Sequence, residues 1–373
     1  MNSETISKFL SEKIDAGDFP SAVYLVAEKG EIIFTDALGC AVVEPEKIAA
    51  ETETIYDLAS LTKPLATGLL CARLIEKKEL KLDKTVDFYL PEFKVYNYFK
   101  ENKRDISINE LLLHASRLPA WKPFYLFAKT RAEVLAEIVK TPLNFEQRGV
   151  AYSDLNFLIL TFLIEKIYGE RLDKISQEEI CAPLKLKNTF FNPPEKLRQK
   201  IAASEFGNEY EKQTCKDSGL DVSNYDWRDY QIWGEVHDGN AWFMNGVSGH
   251  AGLFSTAEET FKIARQFLQN YTSLLKPETC KLFSTNFTKS LSEARSMAFE
   301  LAETKDSTAG EALSKDSFGH LGFTGTSLWI NPQKERIFIL LTNRTHARSL
   351  PFANINAVRR EFHGIAVELL GKI

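Results

Sequence analysis

The sequence predicts an α/β (α+β) fold: a mostly antiparallel sheet flanked by helices, with a large, mainly helical segment inserted between its strands. Three observations carry that expectation. Strand-length apolar runs stand near the two ends, in "AVYLVAEKGEIIFTDALG" and "HLGFTGTSLWINPQKERIFILLTNR". Between about residues 64 and 170, apolar residues recur at i, i+3, i+4 spacing, the period of a helix face. Neither strand set alone makes a stable sheet, so strands from the two ends must pair with each other.

Taken in order, an amphipathic helix is expected over about residues 3–16. A β-hairpin follows, turning at Lys29-Gly30. A polar link through Thr54 leads to "YDLASLTKPLATGLL" (56–70). In the helical part, "SINELLLHAS", "RAEVLAEIVK" and "YSDLNFLILTFLIEKIYG" have helical spacing, with Gly169 a stop for the last. Residues 190–250 read as irregular and aromatic. Ser255 and Thr256 offer N-caps to "AEETFKIARQFLQ". Residues 284–316 read as a mobile, polar segment. The last apolar run predicts two strands joined by a turn at Asn331-Pro332, and a final helix covers about 353–371. The first and last helices should share one face of the sheet. One domain over 1–373 is expected, with residues 1–59 and about 255–373 in an α/β subdomain and about 60–254 in a helical one.

The 373 residues are 44% hydrophobic and 26% charged, with a formal net charge of −5. That composition suits a globular chain and gives no basic footprint for nucleic acid. The longest apolar stretches, "IFILLT" and "FLILTFLI", are too short to span a bilayer. The N-terminus lacks the apolar core and cleavage site of a signal peptide, so a cytoplasmic location is expected. Five scattered cysteines with no CxxC read as free thiols. No cofactor or metal is expected. His237, Asp238 and His250 lack a third ligand at helical spacing and are read as ordering a loop.

Chemistry concentrates at Ser60 and Lys63. Three residues apart on a helix, they share one face. Pro64 would clash with the carbonyl of Ser60 in a helix interior, which places Ser60 at the helix entry. A serine becomes a nucleophile when a neighbour removes its proton, and a lysine whose pKa is lowered can do so. Ser-x-x-K is a motif of β-lactamases and penicillin-binding proteins. Further motifs follow in order: Tyr152 and Asp154 in "AYSDLNFLIL", and His320-x-Gly322 in "GHLGFTG", at the start of a strand. "LLLHASRLP" and "VHDGNAWFMNGVSGHAGLFST" stand in matching positions.

From about residue 20 to 345 the chain resembles the class C β-lactamase and penicillin-binding-protein-like serine hydrolases. The resemblance implies the β-lactamase/transpeptidase-like fold, with a sheet of five or more strands. It implies that Ser60 is acylated, that Lys63 and Tyr152 share the proton work, and that the backbone N–H groups of Ser60 and Phe323 form the oxyanion hole. Asp154, His320, Gly322 and Arg344 are the implied substrate contacts. A small-molecule or short-peptide substrate, peptidoglycan-derived by analogy, is the implied partner. Two positions depart from the family. Asp154 replaces Asn and could pair with Lys63. His320 replaces Lys and is a weaker anchor for a carboxylate, which implies weak or no β-lactam hydrolysis. Arg117 stands where the loop motif has Gly. His114 is read as a satisfied structural histidine. A D-amino-acid peptidase, a carboxylesterase and a non-catalytic penicillin or peptide sensor all remain open at this point.

Overall fold

The computed structural model describes residues 4–93, 105–144, 146 and 149–372. The strands are β1 (Ser21–Glu28), β2 (Glu31–Val42), β3 (Ile48–Ala49), β4 (Tyr56–Asp57), β5 (Phe190–Phe191), β6 (Leu253–Ser255), β7 (Arg295–Ser296), β8 (Phe299–Leu301), β9 (Phe318–Leu321), β10 (Ser327–Asn331) and β11 (Arg336–Thr342).

The main sheet has eight strands in the order β3-β2-β1-β11-β10-β9-β8-β7. Every pairing in it is antiparallel. As the apolar runs at the two ends require, β1 pairs with β11, in register from Ala22 opposite Thr342 to Glu28 opposite Arg336. Successive side chains of a strand point to opposite faces. Tyr24 and Val26 of β1 therefore join Trp329, Phe338 and Leu340 on one face, against Ile6 and Leu10 of the first helix and Phe362, Ala366 and Leu370 of the last. Val23 and Leu25 join Ile337, Ile339 and Leu341 on the other, against Leu65, Leu69, Phe157 and Phe261. With both faces covered, β1 is buried along nearly its whole length.

The first helix runs over Glu4–Asp15 among the described residues, and the last over Asn356–Leu370. The hairpin turns at Lys29 and Gly30, both at positive φ. Gly169 caps the buried helix Asp154–Tyr168 in the left-handed conformation, φ 76°. Thr256 caps the helix Ala257–Ala264 by accepting from Glu259 N. All five cysteines are free. Among the described residues no helix is long and apolar enough to cross a membrane.

Two expectations are corrected. Residues 284–316, expected as a polar segment, supply the edge strand β7 and its neighbour β8. The buried Phe299 holds them, edge-on to Phe267, Phe283 and Phe318 with ring centroids 5.0–5.9 Å apart. The run from His320 to Arg344 makes parts of three strands, not two. His320 lies near the end of β9, not at the start of a strand, because the chain turns at once: Gly322 N donates to Thr326 O at 2.8 Å, and Gly325 has φ 111°.

A small second sheet, β4-β6-β5, stands beside the first. It carries β4 directly into the segment that presents Ser60.

Candidate active site

Ser60 sits on a tight turn rather than in an ordinary α-helix. Ala59, at φ 47°, is in the left-handed region that costs an L-residue energy. The turn Ala59–Leu61 is 3₁₀, Lys63–Gly68 is π-helical, and α-helix begins only at Leu69. Such departures from regular helix cluster at functional sites. Side chains hold the strained turn. Asp57 Oδ1 accepts from Ala59 N at 2.9 Å, and Asp57 Oδ2 from His237 N at 2.8 Å. From the main sheet, Thr324 Oγ1 donates to Asp57 O at 2.8 Å and Thr326 Oγ1 to Leu58 O at 2.9 Å. The glycine of the His-x-Gly motif is explained by this closeness. A Cβ on Gly322 would overlap Thr326 Oγ1 and lie 2.6 Å from Leu58 O.

The expected meeting of Ser60 and Lys63 is present. Lys63 Nζ, fully buried, donates to Ser60 Oγ at 3.0 Å and to His250 O at 3.0 Å. It also pairs with Asp154 Oδ1 at 2.7 Å. Burial alone would lower the pKa of this ammonium, but Asp154, followed by Tyr152, outweighs it and holds Lys63 above the ordinary lysine value. A lysine poised near neutrality is thus not what the site contains. Asp154, expected to face substrate, is turned onto Lys63 while still lining the cleft.

Tyr152 stands one residue before the Ser153 cap of the helix Asp154–Tyr168. Its backbone neighbours are pinned: Ala151 N donates to His114 O at 2.8 Å, Ser153 N to His114 Nδ1 at 3.0 Å, and Asp154 N to Ala120 O at 2.8 Å. The phenol hydrogen-bonds to Lys63 and Ser60; burial raises its pKa, and the Lys63 charge opposes that rise. The Lys63 ammonium lies 5.0 Å from the ring centroid. In the "LLLHASRLP" segment, His114 and Arg117 adopt φ 54° and 66°. That conformation suits the glycine which the motif carries at position 117. His114 is only half satisfied. Its Nε2 is buried with no partner, and its ring packs on Tyr152 at 4.6 Å.

One cavity of about 500 Å³ is lined by Ser60, Tyr152, Asp154, His320, Gly322, Phe323 and Arg344. Lys63 lies buried beneath it. Arg344 is spent on backbone, donating to Phe323 O and to Ala353 O, each at 2.7 Å. Trp121 lines this cavity. Trp233 instead packs in a core and donates to Ile201 O at 2.7 Å.

Several neighbours carry no helical period in the sequence; His237, Asp238 and His250 were read from it only as ordering a loop, and Glu205 and Glu211 were missed. His250 gives its carbonyl to Lys63, while its ring is paired with Asp238 Oδ1 at 2.9 Å and with Ser248 Oγ at 2.7 Å. One donor atom each from Asp154, Asp238 and His250 lies within 4.8 Å of the others, a set that could hold a metal ion. Lys63 already supplies a cation to it. His237 pairs with Glu205 at 2.7 Å; burial opposes its charge, but Glu205 outweighs burial and raises its pKa. Glu211 also lines the cavity. It accepts from Tyr125 OH at 2.7 Å and Gly239 N at 2.8 Å, and burial, with Asp238 nearby, pushes its pKa up to about 7. The glycine-rich "VHDGN" and "GVSGHAG" segments carry His237, Asp238 and His250, whereas Glu205 and Glu211 lie outside them.

Known proteins agree with this architecture. The chain is 30% identical to the "Putative D-alanyl-D-alanine carboxypeptidase" of Escherichia coli (strain K12) over 365 residues, covering 92% of this chain and 82% of that protein. It is 31% identical to the N-acetylmuramyl-L-alanine amidase of Bacillus subtilis (strain 168) over 367 residues, covering 91% and 80%. Its fold is similar to that of EstCE1, a hydrolase with promiscuous acyltransferase activity, with a TM-score of 0.74, 20% identity and 97% and 98% of the two chains covered. The model of the Beta-lactamase family matches residues 6–360. With that match over nearly its whole length, the chain belongs to the β-lactamase family.

Proposed function

We propose that the protein is a serine hydrolase that opens an amide bond of a muropeptide-related substrate through an acyl-enzyme on Ser60. The observation that carries this reading is the buried Lys63 Nζ, 3.0 Å from Ser60 Oγ and 2.7 Å from Asp154 Oδ1, with the Tyr152 phenol hydrogen-bonded to both Lys63 and Ser60. The two relatives of 30% and 31% identity, named for peptidoglycan chemistry, support the substrate class.

In this reading Ser60 Oγ attacks the substrate carbonyl carbon, and the carbonyl oxygen gains negative charge between the N–H groups of Ser60 and Phe323. Preorganised donors of this kind act where the charge develops. The Ser60 proton passes to Lys63, which hands one of its own to Asp154, so Lys63 remains an ammonium throughout. Tyr152 then protonates the leaving nitrogen as the carbon–nitrogen bond breaks, and it is reprotonated from the Lys63–Asp154 pair. Water attacks the ester by the same route in reverse and frees the acid and Ser60. The Asp found where the family carries Asn thus receives a role.

A carboxylesterase is the second reading, favoured by the aromatic cleft wall of Trp121, Tyr210 and Phe323. A panel of N-acetylmuramyl-L-alanyl peptides, D-alanyl peptides, p-nitrophenyl butyrate and a cephalosporin, run on wild type and Ser60→Ala, tests both. Release of free peptide or amino acid, lost in Ser60→Ala, is the expected result. Turnover of the ester alone would replace the first reading with the second.

A further inference from the structure

His320 occupies the place where a lysine would present a cation, and its geometry gives it the opposite polarity. Its Nδ1 is 2.8 Å from Leu321 O. A carbonyl can only accept, so Nδ1 carries the hydrogen and Nε2 carries a lone pair. That Nε2 is buried with no hydrogen-bond partner, in a residue 4% exposed that lines the cavity. Burial, then the charges of Lys63 and Arg295, keep the imidazole neutral, well below its ordinary pKa. Both of those cations are already matched. Lys63 is paired with Asp154, and Arg295 Nη2 donates to Glu293 Oε2 at 2.7 Å.

The place of this lone pair in the reaction follows from its neighbour. The imidazole and the Tyr152 ring are 5.8 Å apart, centroid to centroid. The phenol that protonates the leaving nitrogen must stand beside the leaving group, so the next part of the leaving group reaches His320. A carboxylate there would bring no hydrogen to Nε2, whereas an amide N–H would. A site with a buried polar group rejects the analogue that cannot pair with it.

We propose that His320 Nε2 accepts a hydrogen bond from an amide N–H on the leaving group, so that the enzyme selects a leaving group that continues as a peptide or ends in an amide over one that ends in a free carboxylate. This rests on the acyl-enzyme reading above and narrows it towards an amidase or endopeptidase rather than a carboxypeptidase.

The test is a matched pair of ligands, acetyl-D-Ala-D-Ala and its C-terminal amide, titrated calorimetrically into the 373-residue Ser60→Ala protein, where no turnover is needed. The amide is expected to bind about tenfold tighter or more. His320→Lys on the same background should reverse the preference, and His320→Gln, which keeps an acceptor oxygen, should retain it. Equal binding, tighter binding of the free acid, binding of neither, or a preference unchanged in a folded His320→Lys protein would overturn the proposal. Turnover by wild type reports on Ser60 separately. Activity that survives without this preference removes the role of His320 and leaves the acyl-enzyme reading standing.

Discussion

At Lys63 a single substitution in the family pattern decides the charge state. Burial in a site of low polarity would strip the proton from a lone ammonium. Asp154, 2.7 Å away, reverses that. Asp154→Asn removes the counter-charge and leaves burial to dominate, so Lys63 must lose its own proton before it can accept one from Ser60. The acid limb of the kcat/KM profile should therefore move to higher pH, with activity at pH 6 reduced at least about tenfold. A profile measured from pH 5 to 10 that superimposes on wild type would refute the relay. Ser60, Lys63, Tyr152, His320 and Gly322 were legible in the sequence because each stands in a short motif whose spacing has a physical meaning. His250 and Asp238 were legible only as loop-ordering residues, and Glu211 was not legible at all. They act through a carbonyl, an ion pair and a buried carboxyl, which leave no periodic trace.

Between elements, the site depends on how closely the end of β9 meets the Ser60 turn. Gly322→Ala would push a Cβ into Thr326 Oγ1 and Leu58 O. The N–H groups of Ser60 and Phe323, proposed as the oxyanion donors, would then part, and kcat/KM should fall by about a hundredfold or more, with substrate binding less affected. Steady-state kinetics on a variant with native circular dichroism checks this. The helix Glu209–Asp217 brings Glu211 to the cleft. An unfolded glutamate ionises near its ordinary pKa, whereas the folded carboxyl keeps its proton up to about pH 7. Between those values the native state binds more protons, so this group's contribution to stability falls as pH rises and is fully lost above about 7. Glu211→Gln removes the titration. Relative to wild type the variant should gain roughly 3 kcal/mol between pH 5 and pH 8, as read by urea unfolding at each pH. A constant difference would show that Glu211 is ionised throughout. Element types were mostly legible from apolar period and caps. The three-strand division around His320 was not, because the first of the three, Phe318–Leu321, is only four residues long and contains Gly319 and His320. The short strands β7 and β8 escaped notice because two- and three-residue strands are too brief to show alternation.

Over the whole molecule, the first and last parts of the chain share one sheet and, on one face, one core. The pairing of β1 with β11 was legible because neither strand set could stand alone. That the first and last helices share one face was legible too; which residues of β1 meet them was not, since β1 reads as one continuous apolar run. Leu340, at the centre of β11, is fully buried. Leu340→Ala should cost 2–5 kcal/mol through lost burial and the cavity left behind. Because Thr324 and Thr326 tie the same sheet to the Ser60 turn, loss of activity and loss of tryptophan fluorescence should coincide on one urea curve in wild type and variant. Activity lost well before the fluorescence change would show that the site opens separately from the sheet.

The central claim is most directly tested by the reactivity of Ser60 itself. Wild type is incubated with a fluorophosphonate, followed by intact mass and peptide mapping. The account predicts a single stoichiometric adduct on Ser60, absent in Ser60→Ala and formed at least about a hundredfold more slowly in Lys63→Ala. A folded protein that takes up no label, or that carries the label unchanged after Ser60→Ala, would contradict it.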